Sequence, residues 1–279
     1  MKTVIAFTFV LVLAAKAVDW HKNRLIQSSH TNSNRIIGGN LAPSGFLQFQ
    51  VLIGVARGLN NGICGGSLIK EEKVLTAAHC CNKVTFFIVF LATNNYGIEE
   101  PNRKNATATR YTMHESYNNE TDENDICIIH LDEEVGGEGI ATIRLPSRTQ
   151  AEQLETFGGY SATVSGWGYT SNSDTSNTLL RYTDVIVMDT NECSNYIDIF
   201  TARLMLCANN PDGPGICDGD SGSPLTITES DGVKTQVGIV SFVPPETKGG
   251  CESSLPGGYV RLTAYLQWIK DWAGVDIRP

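Results

Sequence analysis

Beyond residue 17 this chain has no apolar run long enough to cross a bilayer, and it is short of positive charge. Its 279 residues carry 21 Lys and Arg against 30 Asp and Glu, for a net charge of −9. Residues 1–35 hold five of the basic side chains (Lys2, Lys16, Lys22, Arg24, Arg35) and one acid, Asp19. From Ile36 onward the balance is therefore 16 basic to 29 acidic, net −13. That argues against nucleic acid or an anionic membrane as partner, since both need a basic face. No Cys-x-x-Cys pair or His-rich cluster is present, so neither a zinc site nor another cofactor is expected. No charged or Pro-rich linker separates the two halves of the chain, each large enough for its own core.

What is present begins with export. Lys2 precedes the apolar run Val4 to Ala15, which closes on Ala15-Lys16-Ala17. This reads as a secretory signal peptide over residues 1–17, too short for a span, and predicts a secreted, extracellular protein. Export permits disulfides, and the eight cysteines are an even number. Residues 18–35 are polar, rich in Ser and Asn, and cannot build a core, so they read as a flexible propeptide with His21 and His30 as solvated bystanders.

From Phe46 the pattern is short apolar or alternating runs: Phe49–Val55, Gly66–Ile69, Lys73–Ala77, Val84–Leu91 and Ile126–Leu131. The texture repeats at Ala162–Trp167, Leu179–Val187, Leu204–Ala208, Pro224–Thr228, Val237–Phe242 and Gly258–Arg261. Val, Ile, Phe and Thr dominate, which predicts antiparallel strands. Tyr265, Trp268, Ile269 and Trp272 fall at i, i+3, i+4, i+7 and predict one amphipathic helix docked on the core. Gly168–Thr178 has no apolar anchor after Tyr169 and is expected to be a mobile loop. Asn105-Ala106-Thr107 and Asn119-Glu120-Thr121 are glycosylation sequons, with Asn105 and Asn119 as the acceptors. A glycan on Asn119, six residues before Asp125, would crowd its neighbourhood. His114 and His130 sit in no chemical motif and read as structural.

The chemistry lies in Gly215-Ile216-Cys217-Asp218-Gly219-Asp220-Ser221-Gly222-Ser223-Pro224-Leu225. A serine hydroxyl is a poor nucleophile unless a base takes its proton and backbone donors hold the resulting oxyanion. Glycines on both sides of Ser221 allow a tight turn that aims N–H groups at one point. Thr76-Ala77-Ala78-His79-Cys80 offers the base, and Asn124-Asp125-Ile126-Cys127 offers an acid at the head of an apolar run.

With these three motifs, in the order His, Asp, Ser, the chain resembles the secreted chymotrypsin-like (trypsin-fold) serine proteases from Ile36 to the C-terminus. The resemblance implies an all-β fold of two six-stranded antiparallel β-barrels with the active site between them, plus a C-terminal α-helix. On that reading the peptidase domain is 36–279. Barrel 1 covers about 36–145, barrel 2 about 146–262 and the helix about 263–273. It also implies a monomer that acts on protein or peptide substrates and meets proteinaceous inhibitors.

By the same resemblance Ser221 attacks the carbonyl, His79 moves the proton and Asp125 holds the imidazole, with the N–H groups of Gly219 and Ser221 as oxyanion hole. Arg35-Ile36-Ile37-Gly38-Gly39 resembles an activation site: a trypsin-like protease would cut after Arg35, and the freed Ile36 ammonium would pair with Asp220. Disulfides Cys64–Cys80, Cys193–Cys207 and Cys217–Cys251 are implied. Cys81 and Cys127 lie outside the common set, two residues after His79 and after Asp125. They form either a fourth bridge or two buried thiols.

Ser241-Phe242-Val243 matches the strand that pairs with substrate, though the family's usual residues there are Ser-Trp-Gly. Specificity is read six residues before the nucleophile, at Gly215, followed by Ile216; Gly257 stands at a second position where an acid could sit. An uncharged base predicts an apolar P1 side chain, chymotrypsin-like or broad, with elastase-like cleavage second because Val243 narrows the wall. Asp218 puts an acid at the rim. The segments Val240–Val243, Gly250–Ser253 and Asp19-Trp20 look similar to arthropod brachyurins, which implies a digestive enzyme. Ser223 replaces the family's usual Gly and would strain the turn if its φ were positive. The competing readings are an inactive homologue that binds a partner and a regulatory cascade protease.

Overall fold

The computed structural model describes residues 39–279 except 175, 197–203, 211, 212 and 214. The expected signal peptide and propeptide, with the Arg35–Ile36 bond, lie outside the described residues. Strand β1 (Asn40–Leu41) is followed by β2 (Gln50–Arg57), β3 (Asn60–Lys70), β4 (Lys73–Thr76), β5 (Phe86–Leu91), β6 (Lys104–Ala108), β7 (Arg110–Met113) and β8 (Cys127–His130). The second half supplies β9 (Ser161–Gly166), β10 (Arg181–Val187), β11 (Met205–Asn209), β12 (Pro224–Thr228), β13 (Lys234–Phe242) and β14 (Gly257–Arg261). Every pairing between these strands is antiparallel.

The strands form two seven-stranded sheets, and the seventh strand has a simple origin in each. In the first, of order β6-β5-β2-β3-β4-β8-β7, the two edges β6 and β7 are consecutive pieces of chain broken only at Thr109, so the sheet closes on itself with six strands' worth of wall. In the second, β10 pairs with β9 as well as β11, which closes six strands, and two-residue β1 is laid along β10. Two barrels follow, and closure leaves little unpaired edge.

Alternation along the strands fills each barrel. On β6 only Ala106 and Ala108 point inward; on β10 Thr183, Val185 and Val187 do, while Asp184 faces out. Polar bridges join the barrels: Ser165 Oγ on β9 donates to Gln50 Oε1 on β2 (2.7 Å), and Ser67 Oγ on β3 donates to Gln236 Oε1 on β13 (2.6 Å). All four are buried, so each satisfies a group that would otherwise be costly.

The C-terminal helix spans Leu266–Ala273, entered through a tight turn at Leu262–Ala264 and closed by Gly274 at φ +63°. Its buried face is Leu266, Ile269 and Ala273, with Tyr265 just ahead, and it joins the core of the first barrel. Trp272, expected in the apolar stripe, is 50% exposed. The helix is rotated so that Trp268 lies at the margin, where its indole N–H donates to Glu115 Oε2 (3.0 Å). The loop Gly168–Thr178, expected to be mobile, is instead tethered by polar contacts. Asn172 donates to Gly249 O and accepts from Cys251 N, both 2.9 Å, and Asn177 donates to the carbonyls of Gly168 and Leu179. Asn105 is exposed on β6, and Asn119 is exposed ahead of Asp125.

Candidate active site

His79 sits in the one-turn helix α1 (Ala78–Cys81) directly after β4, and Asp125 two residues before β8, the strand paired with β4. Neighbouring strands thus deliver both residues to one end of the first barrel. Asp125 is fully buried, and its carboxylate accepts three hydrogen bonds, each 2.8 Å. His79 N–H reaches Oδ1, while His79 Nδ1 and Ser241 Oγ reach Oδ2. Three donors satisfy a carboxylate that burial would otherwise leave without partners. Burial pushes the His79 imidazole down; the charge of Asp125 and its hydrogen bond outweigh this, so the ring binds its proton more tightly than an ordinary histidine. Asp122 also pushes it up, while the Arg57 guanidinium opposes. Asp122 itself is held above the usual carboxylate range by burial and by Asp125.

Ser241 is expected on the substrate strand, and its bond to Asp125 has a backbone cause. The β13–β14 register slips between Val240 and Phe242, so Ser241 is the extra residue of a bulge and its side chain is re-aimed. The loop leading to Asp125 is braced by the C-terminal helix: Tyr265 Oη donates to Asn124 Oδ1 (3.0 Å), and the His114 ring lies 5.4 Å from the rings of both Tyr265 and Trp268. His114 is therefore packed in place, and His130 pairs with Thr112 Oγ1 at 2.8 Å.

All eight cysteines are paired, as Cys64–Cys80, Cys81–Cys127, Cys193–Cys207 and Cys217–Cys251. Of the two options for Cys81 and Cys127, the structure has the bridge. It ties the His79 helix to the Asp125 strand and closes a 46-residue separation, a stabilisation of about 4 kcal/mol on the chain-entropy account. Cys64, His79 and Cys80 converge closely enough to suggest a metal site, but both sulfurs belong to one disulfide and offer no thiolate.

Ser221 is half-buried on the turn into β12, and its carbonyl accepts from Gly65 N (2.8 Å) and lies 3.6 Å from Cys80 Sγ. These contacts pin the serine backbone beside the residue that follows His79. Gly219 (φ +95°) and Gly222 (φ +82°) flank it in left-handed backbone, and a Cβ on Gly222 would meet Thr76 Oγ1 at 2.1 Å. Asp220 is buried, accepting from Gly168 N (2.8 Å) and Cys217 N (3.0 Å); burial, with Asp218 adding, raises its pKa to about 6. Asp218 is exposed, and its carbonyl accepts from Tyr169 N.

A cavity of about 230 Å³ opens behind this segment. It brings together Gly215, Ile216 and Gly257 and adds Val185, Ala208 and Tyr259, which have no motif. Asp218, Ser241, Phe242 and Val243 do not line it. Glu252 is the acidic side chain among its described residues; it is exposed and accepts from Asn172 N. Ile216 leans on Gly257, where a Cβ would lie 2.7 Å from Cδ1, so part of the depth expected from the two glycines is filled. Phe242 likewise covers Gly258, where a Cβ would lie 2.3 Å from the ring.

Two β-barrels, a histidine locked to a buried aspartate and a serine on a glycine-flanked turn beside them define a chymotrypsin-like serine protease. The family model described as Trypsin matches residues 36–269, and the chain belongs to that family. It is 32% identical to a collagenase of Hypoderma lineatum, over 96% of this chain and 97% of the relative. Identity is 36% to a brachyurin of Leptuca pugilator over 76% of this chain and 88% of the relative, and 32% to a chymotrypsin of Phaedon cochleariae over 85% and 82%. A solved structure of HL collagenase superposes with a TM-score of 0.76 at 33% identity, covering 86% of this chain and all of that one. This chain is accordingly a serine endopeptidase.

Proposed function

We propose that the protein is secreted as a zymogen, activated by a trypsin-like cut after Arg35, and hydrolyses peptide bonds through an acyl-enzyme on Ser221 with preference for apolar P1 residues. The observation that carries the mechanism is the buried, triply hydrogen-bonded Asp125 at 2.8 Å from His79 Nδ1. That bond fixes the tautomer so that Nε2 is free to take the Ser221 proton and return it to the leaving amine. Among the described residues the N–H groups of Gly219 and Ser221 donate to no protein acceptor, while those of Asp220, Gly222 and Ser223 do. Two backbone donors without a described protein acceptor suit a developing oxyanion, and each would contribute on the order of 3 kcal/mol to the transition state.

Zymogen control draws support from Asp220. Among the described residues no cation pairs with this buried carboxylate of raised pKa, and an ammonium at Ile36 would supply one. The uncharged described lining of the cavity, Glu252 apart, supports an apolar P1 residue. Likeness to proteins named collagenase, brachyurin and chymotrypsin supports broad protein digestion outside the cell. No described helix is long and apolar enough to cross a membrane.

The test is a digest of a diverse peptide library by Arg35-cleaved protein, read by mass spectrometry, with Ser221→Ala as control. Cuts after Phe, Tyr, Leu or smaller apolar residues that vanish in the control are expected. Folded, cleaved protein that cuts nothing would refute the assignment.

A further inference from the structure

The carbonyls of residues 77–82 surround His79, and each has a hydrogen-bond partner. Those of Ala77, Ala78 and Cys81 accept from the amides of Cys80, Asn82 and Val84, as a short helix would have it. The other three converge on one side chain. Arg57, half-buried at the end of β2, donates from Nη2 to His79 O (2.8 Å) and Cys80 O (3.1 Å), and from Nε to Asn82 O (3.0 Å). Helix C-terminal carbonyls are left without partners by geometry, and a guanidinium is the one side chain whose planar fork can take several at once. His79 is thus held at both ends of its main chain, its N–H by Asp125 and its carbonyl by Arg57.

We propose that Arg57 is a positioning residue for His79: it locks the turn that carries the imidazole and places a fixed positive charge beside it. The inference rests on His79 being the base. The charged groups that act on the imidazole are Asp125, Asp122 and Arg57, of which the first two favour its protonated form and Arg57 opposes it. Tyr117 and Tyr265 stand in the field of Asp125. The clamp therefore has an electrical consequence as well as a mechanical one: without Arg57, His79 would hold its proton to higher pH and be inactive as a base over a wider range.

The test compares Arg57→Gln and Arg57→Lys with the unsubstituted sequence in Arg35-cleaved protein. The His79 imidazole is titrated by NMR, its resonance assigned by loss in His79→Gln, and kcat and KM are measured across pH on a peptide substrate. Arg57→Gln should raise the NMR midpoint and the acid limb of kcat/KM together. Arg57→Lys keeps the charge but not the fork, so the midpoint should stay in place while kcat falls roughly five- to tenfold at constant KM. A residue that merely supported folding would lower stability in both variants and move neither quantity. A folded Arg57→Gln with an unmoved midpoint overturns the proposal. If that variant fails to fold, an Arg57→Lys with unchanged kcat overturns it instead. Protein that shows no His79-dependent hydrolysis would refute the functional reading alone, because the imidazole titration still decides what Arg57 does.

Discussion

Ser223 Oγ occupies the space that any side chain on Gly65 would need: a Cβ built on Gly65 would lie 1.8 Å from it. Ser223 is fully buried, accepts from Gln50 Nε2 (3.3 Å), and is not in left-handed backbone, so the strain expected from a serine at this position is absent. The constraint has passed to Gly65, whose N–H also holds the Ser221 carbonyl. Gly65→Ala should therefore destabilise by about 1–3 kcal/mol through overpacking. Ser223→Gly should cost a comparable amount by leaving Gln50 Nε2 unpaired. Together they should cost less than the sum, because the glycine removes the clash the alanine creates. Chemical denaturation of the four proteins measures this; strict additivity would show that the two positions are not sterically coupled.

Asp220 gives the uncleaved protein a characteristic pH response. Its folded pKa, about 6, lies above the ordinary aspartate value. The folded state therefore holds this proton more tightly than the unfolded chain does. The resulting penalty is absent below about pH 4 and fully present above about pH 6, worth on the order of 3 kcal/mol. Between pH 7 and 5 the uncleaved protein should thus gain stability relative to Asp220→Asn, which cannot titrate. Cleavage after Arg35 should shrink or reverse that difference, since a charged partner favours the carboxylate. Urea unfolding of both proteins, before and after cleavage, reads it. A difference that does not change with pH would show that Asp220 is charged in the uncleaved protein as well.

Much of this was legible in the chain because its chemistry sits in distinctive strings. The His79, Asp125 and Ser221 segments were each recognisable, and strands such as Pro224–Thr228 match their apolar runs to the residue. Strands β6 and β7 carry little sequence signal because their inward positions are small or half-polar: Lys-Asn-Ala-Thr-Ala buries only two alanines and shows no apolar alternation. The helix is legible but its exact face is not, since the choice between the 265/268/269/272 and 266/269/273 stripes, which share Ile269, depends on the docking surface. Ser241 could not be assigned to Asp125 because its direction is set by a one-residue slip in register. A lone arginine at a hairpin end carries no signal at all; the role of Arg57 exists only once α1 is folded against it.

Gly215 offers the sharpest test of the pocket. Its backbone is not left-handed, and an added Cβ would make ordinary contacts with Val185 (3.8 Å) and Asn210 (3.9 Å), so a side chain fits without strain. In Gly215→Asp the new carboxylate would face a cavity of about 230 Å³ whose described lining holds no cation. An unpaired charge there is unfavourable, and a substrate arginine or lysine would relieve it where a phenylalanine could not. The variant should fold and lose cleavage after apolar residues, and cuts after Arg and Lys should rise by at least tenfold relative to them, about 1.4 kcal/mol of discrimination or more. The same peptide library reads the change. Were the unsubstituted enzyme already to cut after Arg and Lys, an acid would have to reach the substrate cation by another route. Asp218 at the surface and Glu252 at the cavity margin would then be the groups to replace.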